Sequence, residues 1–372
     1  MSKENLPGLY VHIPFCLSKC PYCDFYSETG TSMVTAWLTA LEQEMLLYKD
    51  YFHKFDTLYI GGGTPTVLER AVLQNIFDKL HEHFYFTDGA EITVETNPGD
   101  VAGEKLTFLK GCGVNRISLG AQSFDDRDLI FLKRRHTGKE AVEALDLIRS
   151  HGFNSLGVDL IYGLPGQTLD RWLKTLERAV SFHPEHISCY QLTATENTKL
   201  WEMLGRGEVK LPDESEGEAL FLATAEFLED YRYLHYEISN FAHGEANRSR
   251  HNQKYWHHTP YLGLGPSAHS FQDGKRWWNV RSIEHYCCAL NEGRVPVGGE
   301  ETLTREQCEL ESLYLGLRTS GGVTLEQVTA NGGYKTLLSE LVQGDYVKVI
   351  DQKVVPTRKG FLVADRLPLA FM

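Results

Sequence analysis

Residues 9–23 read Leu-Tyr-Val-His-Ile-Pro-Phe-Cys-Leu-Ser-Lys-Cys-Pro-Tyr-Cys, an apolar stretch that runs directly into three closely spaced cysteines. The first part, Leu9–Phe15, has the β-branched and aromatic composition of a short buried strand. Cys16, Cys20 and Cys23 then follow in a C-x3-C-x2-C arrangement. In sheets of parallel strands, ligands bind beyond the carboxyl ends of the strands. The three thiols are therefore predicted to lie at a functional edge of such a sheet.

The clustered cysteines predict a metal centre rather than a disulfide. The chain has 8 cysteines in 372 residues, which is too few for a disulfide scaffold. Three thiolates at this spacing can bind three irons of a [4Fe–4S] cluster and leave the fourth iron open. Zinc is the alternative metal, with Asp24 or His12 as a fourth ligand, although neither gives a familiar zinc spacing. Small buried apolar roles are predicted for the other cysteines, which are Cys112, Cys189, Cys287, Cys288 and Cys308.

Strand-like and helix-like segments alternate through the first two-thirds of the chain. Strands are predicted at Leu9–Phe15, Thr57–Ile60, Glu91–Glu95, Arg116–Leu119, Ser155–Ile161 and His186–Leu192. Helices are predicted between them at Val34–Tyr48, Val67–Phe84, Glu104–Lys110, Asp126–Arg134, Lys139–Arg149 and Leu169–Ser181. Helical crossovers of this kind join parallel strands. Six such units predict an α/β fold with a partial (β/α)6 TIM-like barrel, because a closed barrel needs eight.

The pattern changes towards the carboxyl terminus, and three segments are predicted. Residues 1–240 form the βα core, residues 241–299 an irregular segment rich in histidine and aromatic residues, and residues 300–372 a small domain. Thr304 with Gln307, and Thr324 with Gln327, predict helix starts, and Asp351–Gln352 predicts a hairpin turn. Three helices followed by a hairpin are typical of a winged-helix-like α+β domain.

Charge and hydropathy exclude several classes of protein. The net charge of −13 disfavours general nucleic-acid binding, which needs a basic surface. Residues 300–372 carry 8 basic and 10 acidic residues, so the winged-helix-like segment also lacks a basic footprint. No run of 18 apolar residues occurs, so no transmembrane segment is predicted. The first eight residues lack the apolar core of a signal peptide, which predicts a cytoplasmic protein.

The cysteine motif resembles the hallmark of the radical S-adenosylmethionine (SAM) superfamily, in which an aromatic residue, here Tyr22, precedes the last cysteine. The resemblance is closest to the coproporphyrinogen-dehydrogenase-like branch, and it rests on Tyr10–Cys16, Gly61–Thr66, Glu95–Gly99, Asn115–Phe124, Arg134–His136 and Asp159–Thr168. It implies a [4Fe–4S] cluster whose open iron binds the amino and carboxylate groups of SAM. A reduced cluster of this kind cleaves SAM to a 5′-deoxyadenosyl radical.

The resemblance also implies a set of SAM-binding residues. Glycines at 61–63 allow a ligand to approach the backbone closely, and their N–H and C=O groups could contact the SAM amino group and the cluster edge. Polar residues at the carboxyl ends of strands point to one face, where ribose hydroxyls and a carboxylate could be bound. In this family pattern the SAM-binding positions are Tyr10, Tyr22, Gly62, Gly63, Thr64, Glu95, Gln122, Arg134 and Asp159.

Two groups within the branch are distinguished by further motifs. Oxygen-independent coproporphyrinogen III dehydrogenases carry an amino-terminal extension and an added cysteine two residues after the third ligand. This chain has Phe25 at the position of that cysteine. HemW-type haem chaperones resemble this chain more closely, with C-x3-C-x2-C-x-F and the H-N-x-x-Y-W motif, here His251–Trp256. Tyr236–Asn240 and Tyr261–His269 also match that group.

His251 is the family's haem-linked histidine, and an imidazole is a suitable axial ligand for iron. His257, His258 and His269 are nearby alternatives that spacing alone does not rank. The resemblance implies a chaperone in porphyrin metabolism that passes haem to haem-requiring proteins such as respiratory enzymes and uses an electron donor for its cluster. Coproporphyrinogen III dehydrogenase activity, an oxidative decarboxylation in haem biosynthesis, is the enzymatic alternative.

Overall fold

The computed structural model describes residues 6–329 and 335–371. Its strands are β1 (Gly8–Ile13), β2 (Phe15–Cys16), β3 (Glu28–Thr29), β4 (Lys54–Gly62), β5 (Tyr85–Thr96), β6 (Arg116–Gln122), β7 (Ser155–Tyr162), β8 (His186–Gln191), β9 (Leu234–Glu237), β10 (Asn240–Ala242), β11 (Tyr261–Leu264), β12 (His269–Gln272), β13 (Lys275–Asn279), β14 (Val297–Thr302), β15 (Val323–Thr324), β16 (Val347–Ile350) and β17 (Lys353–Pro356).

The helices alternate with these strands. They are α1 (Val34–Tyr48), α2 (Arg70–His83), α3 (Gly103–Gly111), α4 (Asp126–Phe131), α5 (Gly138–Ser150), α6 (Leu169–Val180), α7 (Lys199–Gly205), α8 (Glu214–Asp230), α9 (Arg250–Trp256), α10 (Ile283–Asn291), α11 (Arg305–Gly316), α12 (Leu325–Thr329), α13 (Lys335–Gln343) and α14 (Arg358–Leu362). Short 3-10 helices lie at Pro65–Val67, Pro98–Asp100, Glu245–Asn247 and Pro368–Phe371.

The chain divides into two units, each assembled from separate stretches. The first unit comprises Met1–Asp159, Thr193–Val209 and Thr259–Thr302, and the second comprises Leu160–Leu192, Lys210–His258 and Leu303–Met372. The division falls inside β7, between Asp159 and Leu160. The predicted boundaries at residues 240 and 299 remain a prediction, because these units are not continuous in sequence.

The first unit is built on a sheet with the strand order β14-β13-β12-β11-β1-β4-β5-β6. Strands β1, β4, β5 and β6 pair in parallel, and β11 also runs parallel to β1. The register places His12 opposite Gly61 and Ile13 opposite Gly62. Helices that cover a parallel sheet bury its strands, which explains why β1 and β6 are almost continuously buried.

The second unit contains the antiparallel strand order β8-β10-β9 and the helix pair α6 and α8. Trp172 on α6 is fully buried and donates a hydrogen bond from Nε1 to Thr224 Oγ1 on α8, at 2.7 Å. A separate three-stranded sheet has the order β15-β17-β16. Its core brings residues of α11, α12 and α13 against β15, β16 and β17, including Leu313, Val347 and Val354.

The predicted strands of the βα series are confirmed, and α1 has the predicted bounds Val34–Tyr48. One helix prediction was wrong. The helix expected to run to Arg134 ends at Phe131, and Arg134 lies in the turn before α5. Lys133 has φ +52°, a left-handed conformation that reverses the chain and that apolar periodicity does not reveal.

The expectation of an irregular segment at 241–299 was also wrong. Short elements, β10, α9, β11 to β14 and α10, occupy most of it. Each has three to nine residues, too few to show a clear period in the sequence. The strands are instead defined by pairing with distant partners, as β13 pairs with β14.

The carboxyl-terminal elements follow the predicted order. Thr304 and Gln307 form a capping box at the start of α11. At the start of α12, the Thr324 hydroxyl accepts a hydrogen bond from the Gln327 N–H. Asp351 and Gln352 both have positive φ, as a two-residue type I′ hairpin turn requires. The winged-helix-like assignment itself stays a prediction. Within residues 6–329 and 335–371, no helix is long and apolar enough to cross a membrane.

Candidate functional site

Cys16 ends the short strand β2, Cys20 and Cys23 lie on the loop that follows it (the cysteine loop, residues 16–26), and all three are partly exposed. The Cys23 N–H donates to the Cys20 carbonyl at 3.3 Å, which turns the loop back on itself. Cys16 Sγ lies 3.7 Å from Thr64 Oγ1. Burial raises the pKa of the Cys23 thiol to about 11, so binding a metal there must displace a proton.

His12 anchors the end of the cysteine loop. Its Nε2 donates to the Tyr26 carbonyl at 2.8 Å, which leaves Nδ1 to accept from the Tyr10 hydroxyl at 3.0 Å. Asp24, the other predicted fourth zinc ligand, is paired with Arg281 at 3.0 Å. Both candidate zinc ligands are therefore already engaged.

The residues present fit an iron–sulfur cluster better than a single metal ion. In the described part of the chain, no three His, Cys, Asp or Glu side chains form a group that could hold one ion. Cysteine ligands of a [4Fe–4S] cluster each bind a different iron, so three separated thiols on one exposed loop suit it. Cys16, Cys20 and Cys23 are the residues that could hold the cluster.

The glycine segment, residues 61–63 at the end of β4, packs tightly against β1 and β2, which lead into the cysteine loop. Gly62 has φ +100°, and a Cβ there would lie 2.5 Å from His12 Nδ1. A Cβ on Gly63 would lie 2.5 Å from the Phe15 carbonyl oxygen. Glycine is required at both positions because the neighbouring atoms leave no room for a Cβ.

The backbone N–H groups of this segment are not available to a ligand, contrary to expectation. Those of Gly63 and Thr64 donate to the carbonyls of Ile13 and Phe15, at 2.7 and 2.8 Å. The Gly62 N–H donates to Glu95 Oε2 at 3.2 Å. β1, β2 and the Glu95 side chain thus use these three donors, so only carbonyl oxygens remain for an amino group.

Two carboxylates of the first unit lie on β5 and β7, the strands on either side of β6. Glu95, near the end of β5, accepts from the Tyr59 hydroxyl at 2.7 Å. Asp159, on β7, accepts from the Ser118 hydroxyl at 3.0 Å. Burial raises the pKa of Glu95 to about 7, and the negative charge of Asp159 acts in the same direction. Such acceptors suit ribose hydroxyls, as the sequence predicts.

Arg134 joins the cysteine loop to two strand ends. Its guanidinium donates to Cys20 Sγ at 3.6 Å, to the Gly120 carbonyl at 2.8 Å and to Asn97 Oδ1. Asn97 in turn donates to Thr64 Oγ1 at 2.8 Å. The buried Arg134 Nε has no hydrogen-bond partner among residues 6–329 and 335–371. A fixed guanidinium with a spare donor suits a carboxylate ligand.

Tyr22 and Gln122 complete the predicted set. Burial raises the pKa of Tyr22, and the Arg134 charge opposes that shift. Gln122 has φ +65° at the end of β6. All nine predicted SAM positions belong to the first unit.

Sequence reasoning missed the supporting contacts of His12, Tyr59, Asn97 and Ser118. His12 and Tyr10 share one face of β1 by the period of two, so the alternation in Tyr10–Cys16 could have indicated this pair. Asn97 stood within the quoted Glu95–Gly99 motif. Ser118 likewise stood within the quoted Asn115–Phe124 segment, whereas Tyr59 carries no sequence signal, because its partner lies on another strand.

His251 lies in the first turn of α9, in the second unit, and its side chain is 1% exposed. Its Nε2 forms a 2.9 Å hydrogen bond with the Tyr255 hydroxyl. Burial lowers the pKa of His251 to about 3, so the imidazole is neutral. A neutral imidazole is the form that binds iron.

The alternative histidines have different surroundings. His258 Nε2 donates to Glu311 Oε2 at 3.1 Å, and its Nδ1 lies 3.5 Å from Ser312 Oγ. Burial lowers the pKa of His257. His269 lies on β12 in the first unit and stacks on Trp278.

Comparison with known proteins identifies the family of this chain. A family model described as the radical SAM superfamily matches residues 10–179. The haem chaperone HemW of Bacillus subtilis is 33% identical, over 99% of this chain and 99% of its own length. The haem chaperone HemW of Escherichia coli is 36% identical, over 72% of this chain and 71% of its own length.

Among solved structures, coproporphyrinogen III oxidase (HemN) from Escherichia coli, a radical SAM enzyme, superimposes with a TM-score of 0.85. It is 26% identical, and the match covers 100% of this chain and 91% of that one. These similarities confirm the predicted α/β radical SAM fold, and radical SAM proteins carry a [4Fe–4S] cluster and SAM. This chain therefore belongs to the HemW family of haem chaperones within the radical SAM superfamily.

Proposed function

We propose that this protein binds haem and delivers it to haem-requiring proteins, such as respiratory enzymes, while it holds a [4Fe–4S] cluster and SAM. The observation that carries the proposal is the identity of 33% with a haem chaperone over 99% of both chains. The proposal places the protein in the cytoplasm, with a separate electron donor for the cluster.

Cys16, Cys20 and Cys23 would hold the cluster, with one iron left open. When bound and reduced, the cluster supplies an electron to the sulfonium of SAM. Arg134 would orient the SAM carboxylate with its Nε, the donor that has no partner in the described part of the chain. Glu95 and Asp159 would accept hydrogen bonds from the ribose hydroxyls, Gln122 would complete the polar edge, and Tyr22 would lie beside the adenine.

The glycine segment would bring its carbonyl oxygens to the SAM amino group. Gly62 and Gly63 permit the approach, and Thr64 is held in place by Asn97. Tyr10, which donates to His12, would lie beside the cluster. The first unit would thus bind and position both cofactors before any reaction takes place.

His251 would supply the axial ligand to haem iron. Its burial keeps the imidazole neutral, so iron need not displace a proton to reach a ring nitrogen. Tyr255 and Trp256 in the same helix offer aromatic faces of the kind that pack on a porphyrin.

A haem titration of anaerobically reconstituted protein, followed through gel filtration, tests this function. Wild type should retain about one haem per chain, and His251→Ala should lose it while keeping its iron–sulfur absorbance. Retention by both proteins would leave the chaperone function intact but assign the ligand elsewhere, with His257, His258 and His269 next. Loss of haem by both proteins would contradict the proposal.

Coproporphyrinogen III dehydrogenase activity is the second candidate, because HemN superimposes along the whole chain with a TM-score of 0.85. Phe25 occupies the position of the added cysteine of those enzymes, and its side chain is 65% exposed. A phenylalanine cannot perform the chemistry of a thiol there. Anaerobic turnover of coproporphyrinogen III to protoporphyrinogen would support this candidate, and its absence would support the chaperone.

A further inference from the structure

His251 is inaccessible to a large planar ligand in this conformation. Its side chain is 1% exposed, and its Nε2 is bonded to Tyr255 at 2.9 Å. An axial ligand must present its nitrogen to the face of the macrocycle, so α9 or the residues over it must move before haem can bind.

Helix α9 is held at its carboxyl end by α11. His258, two residues beyond the last residue of α9, donates to Glu311 at 3.1 Å and lies 3.5 Å from Ser312. Arg318, just after α11, stacks its guanidinium over the Trp256 ring, 5.6 Å from the centroid. Arg318 is itself paired with Asp365. All of these residues belong to the second unit.

The chain turns at His258, just after α9. His258 has φ +49°, a left-handed conformation that a residue with a Cβ adopts at a cost and that glycine usually provides after a helix. The pair with Glu311 is partly buried, with side chains 17% and 31% exposed. A hydrogen bond in a partly buried, lower-dielectric setting is stronger than one in water.

We propose that the contacts of His258 with Glu311 and of Trp256 with Arg318 form a latch that keeps His251 closed, and that haem entry requires α9 and α11 to separate. The inference rests on the proposed binding of haem at His251 and adds a means of regulating it. A protein equilibrates between closed and open forms, and haem that binds only the open form draws the population towards it. Loosening the latch should therefore speed haem uptake.

Glu311→Ala tests the latch, and Glu309→Ala is the matched control. Glu309 lies on the same helix, is exposed and accepts a hydrogen bond from Arg305 at 2.8 Å, so its removal also costs one carboxylate and its hydrogen bond. The first readout is the rate at which diethyl pyrocarbonate modifies His251 in haem-free protein, measured by mass spectrometry with exposed His285 as an internal reference.

Glu311→Ala should raise the modification rate of His251 about three- to fivefold, the effect expected from losing one hydrogen bond of about 1 kcal/mol. Glu309→Ala should match wild type. Stopped-flow haem binding should show the same ratio in the association rate. An unchanged rate in Glu311→Ala, or an equal increase in both variants, would overturn the latch.

Hydrogen exchange of the wild-type protein provides a test that needs no variant. On haem addition, the amides of 305–318 should lose protection as α11 releases α9, and full retention of their protection alongside bound haem would overturn the inference. Failure of wild type to bind haem would refute the proposed function instead, while the modification of His251 in haem-free protein would still test the latch.

Discussion

The two candidate binding regions of this protein differ in how ready they are for a ligand. In the first unit, Cys16, Cys20 and Cys23 are partly exposed, and Arg134 is already oriented by bonds to Cys20, Asn97 and Gly120. In the second unit, His251 is 1% exposed and its Nε2 is engaged. The first region is pre-organised, whereas the second is closed.

This difference corresponds to two kinds of ligand. A cofactor that stays with the protein gains from side chains that are fixed before binding, because less ordering entropy is then lost. A ligand that must be taken up and released needs a site whose open state is reached at modest cost. We therefore expect changes in the first region to abolish or weaken binding, and changes around α9 to alter rates.

The largest effect is expected from Cys20→Ser. A hydroxyl cannot replace a thiolate ligand of a [4Fe–4S] cluster. Iron content and the absorbance at about 410 nm should therefore fall to a small fraction of the wild-type values. Cys288→Ser is the matched control, because Cys288 is exposed on α10 and outside the motif. Iron retention in Cys20→Ser after anaerobic reconstitution would refute the ligand assignment.

A smaller but still large effect is expected from Gly62→Ala. The new Cβ would lie 2.5 Å from His12 Nδ1 and would also occupy a left-handed conformation. SAM affinity in equilibrium dialysis should fall by more than about 100-fold, because conformational cost and steric clash both act on the binding backbone.

Gly89→Ala separates those two costs. Gly89 has φ +72°, and no atom of the described residues beyond its immediate chain neighbours would lie within 4 Å of a Cβ added there. Its substitution therefore carries the conformational cost alone, about 1–2 kcal/mol of unfolding free energy. SAM affinity should match wild type in this variant. Equal losses in the two variants would show that the glycine segment is not pre-organised for a ligand.

A third effect concerns the buried carboxyl that supports the first unit. Glu44 on α1 is fully buried and accepts from the Gly265 N–H, Asn279 Nδ2 and the Tyr286 hydroxyl, at 2.8, 2.6 and 2.7 Å. A Cβ on Gly265 would lie 2.6 Å from the His12 carbonyl oxygen, so this network supports the strand that leads to the cluster loop.

Burial raises the pKa of Glu44 to about 7 from 4.5. The folded state then holds a proton that the unfolded state releases, so the stabilisation is complete below pH 4.5 and is lost as the pH rises to about 7. The unfolding free energy of wild type relative to Glu44→Gln should fall by about 3 kcal/mol over this range.

Urea denaturation of wild type and Glu44→Gln at about pH 5 and about pH 8 measures this change in relative unfolding free energy, because most of it falls between those two pH values. Glu42→Gln is the control. Glu42 lies on the same helix and is partly exposed, so this variant shows how the loss of a surface carboxylate changes the unfolding free energy. A gap between wild type and Glu44→Gln that stays constant with pH would show that Glu44 is ionised throughout.

Local signals in the sequence were enough to predict the βα core and the metal motif. The apolar run before Cys16 and the strand–helix alternation predicted β1 and α1 correctly, since burial on a parallel sheet leaves a continuous apolar pattern. The elements of 241–299 were missed because short strands are defined by their partners. The end of α4 was missed because Lys133 adopts a left-handed conformation that carries no apolar signal.

The sequence by itself determined the metal motif, the parallel core and the family resemblance, because spacing and periodicity are properties of a local stretch of chain. The tertiary structure decided which groups are free to act. It showed that the N–H groups of Gly62, Gly63 and Thr64 donate to Glu95, Ile13 and Phe15, and that His251 is buried. Hydrogen-bond partners and burial depend on residues that are distant in sequence, so only the folded chain can assign them.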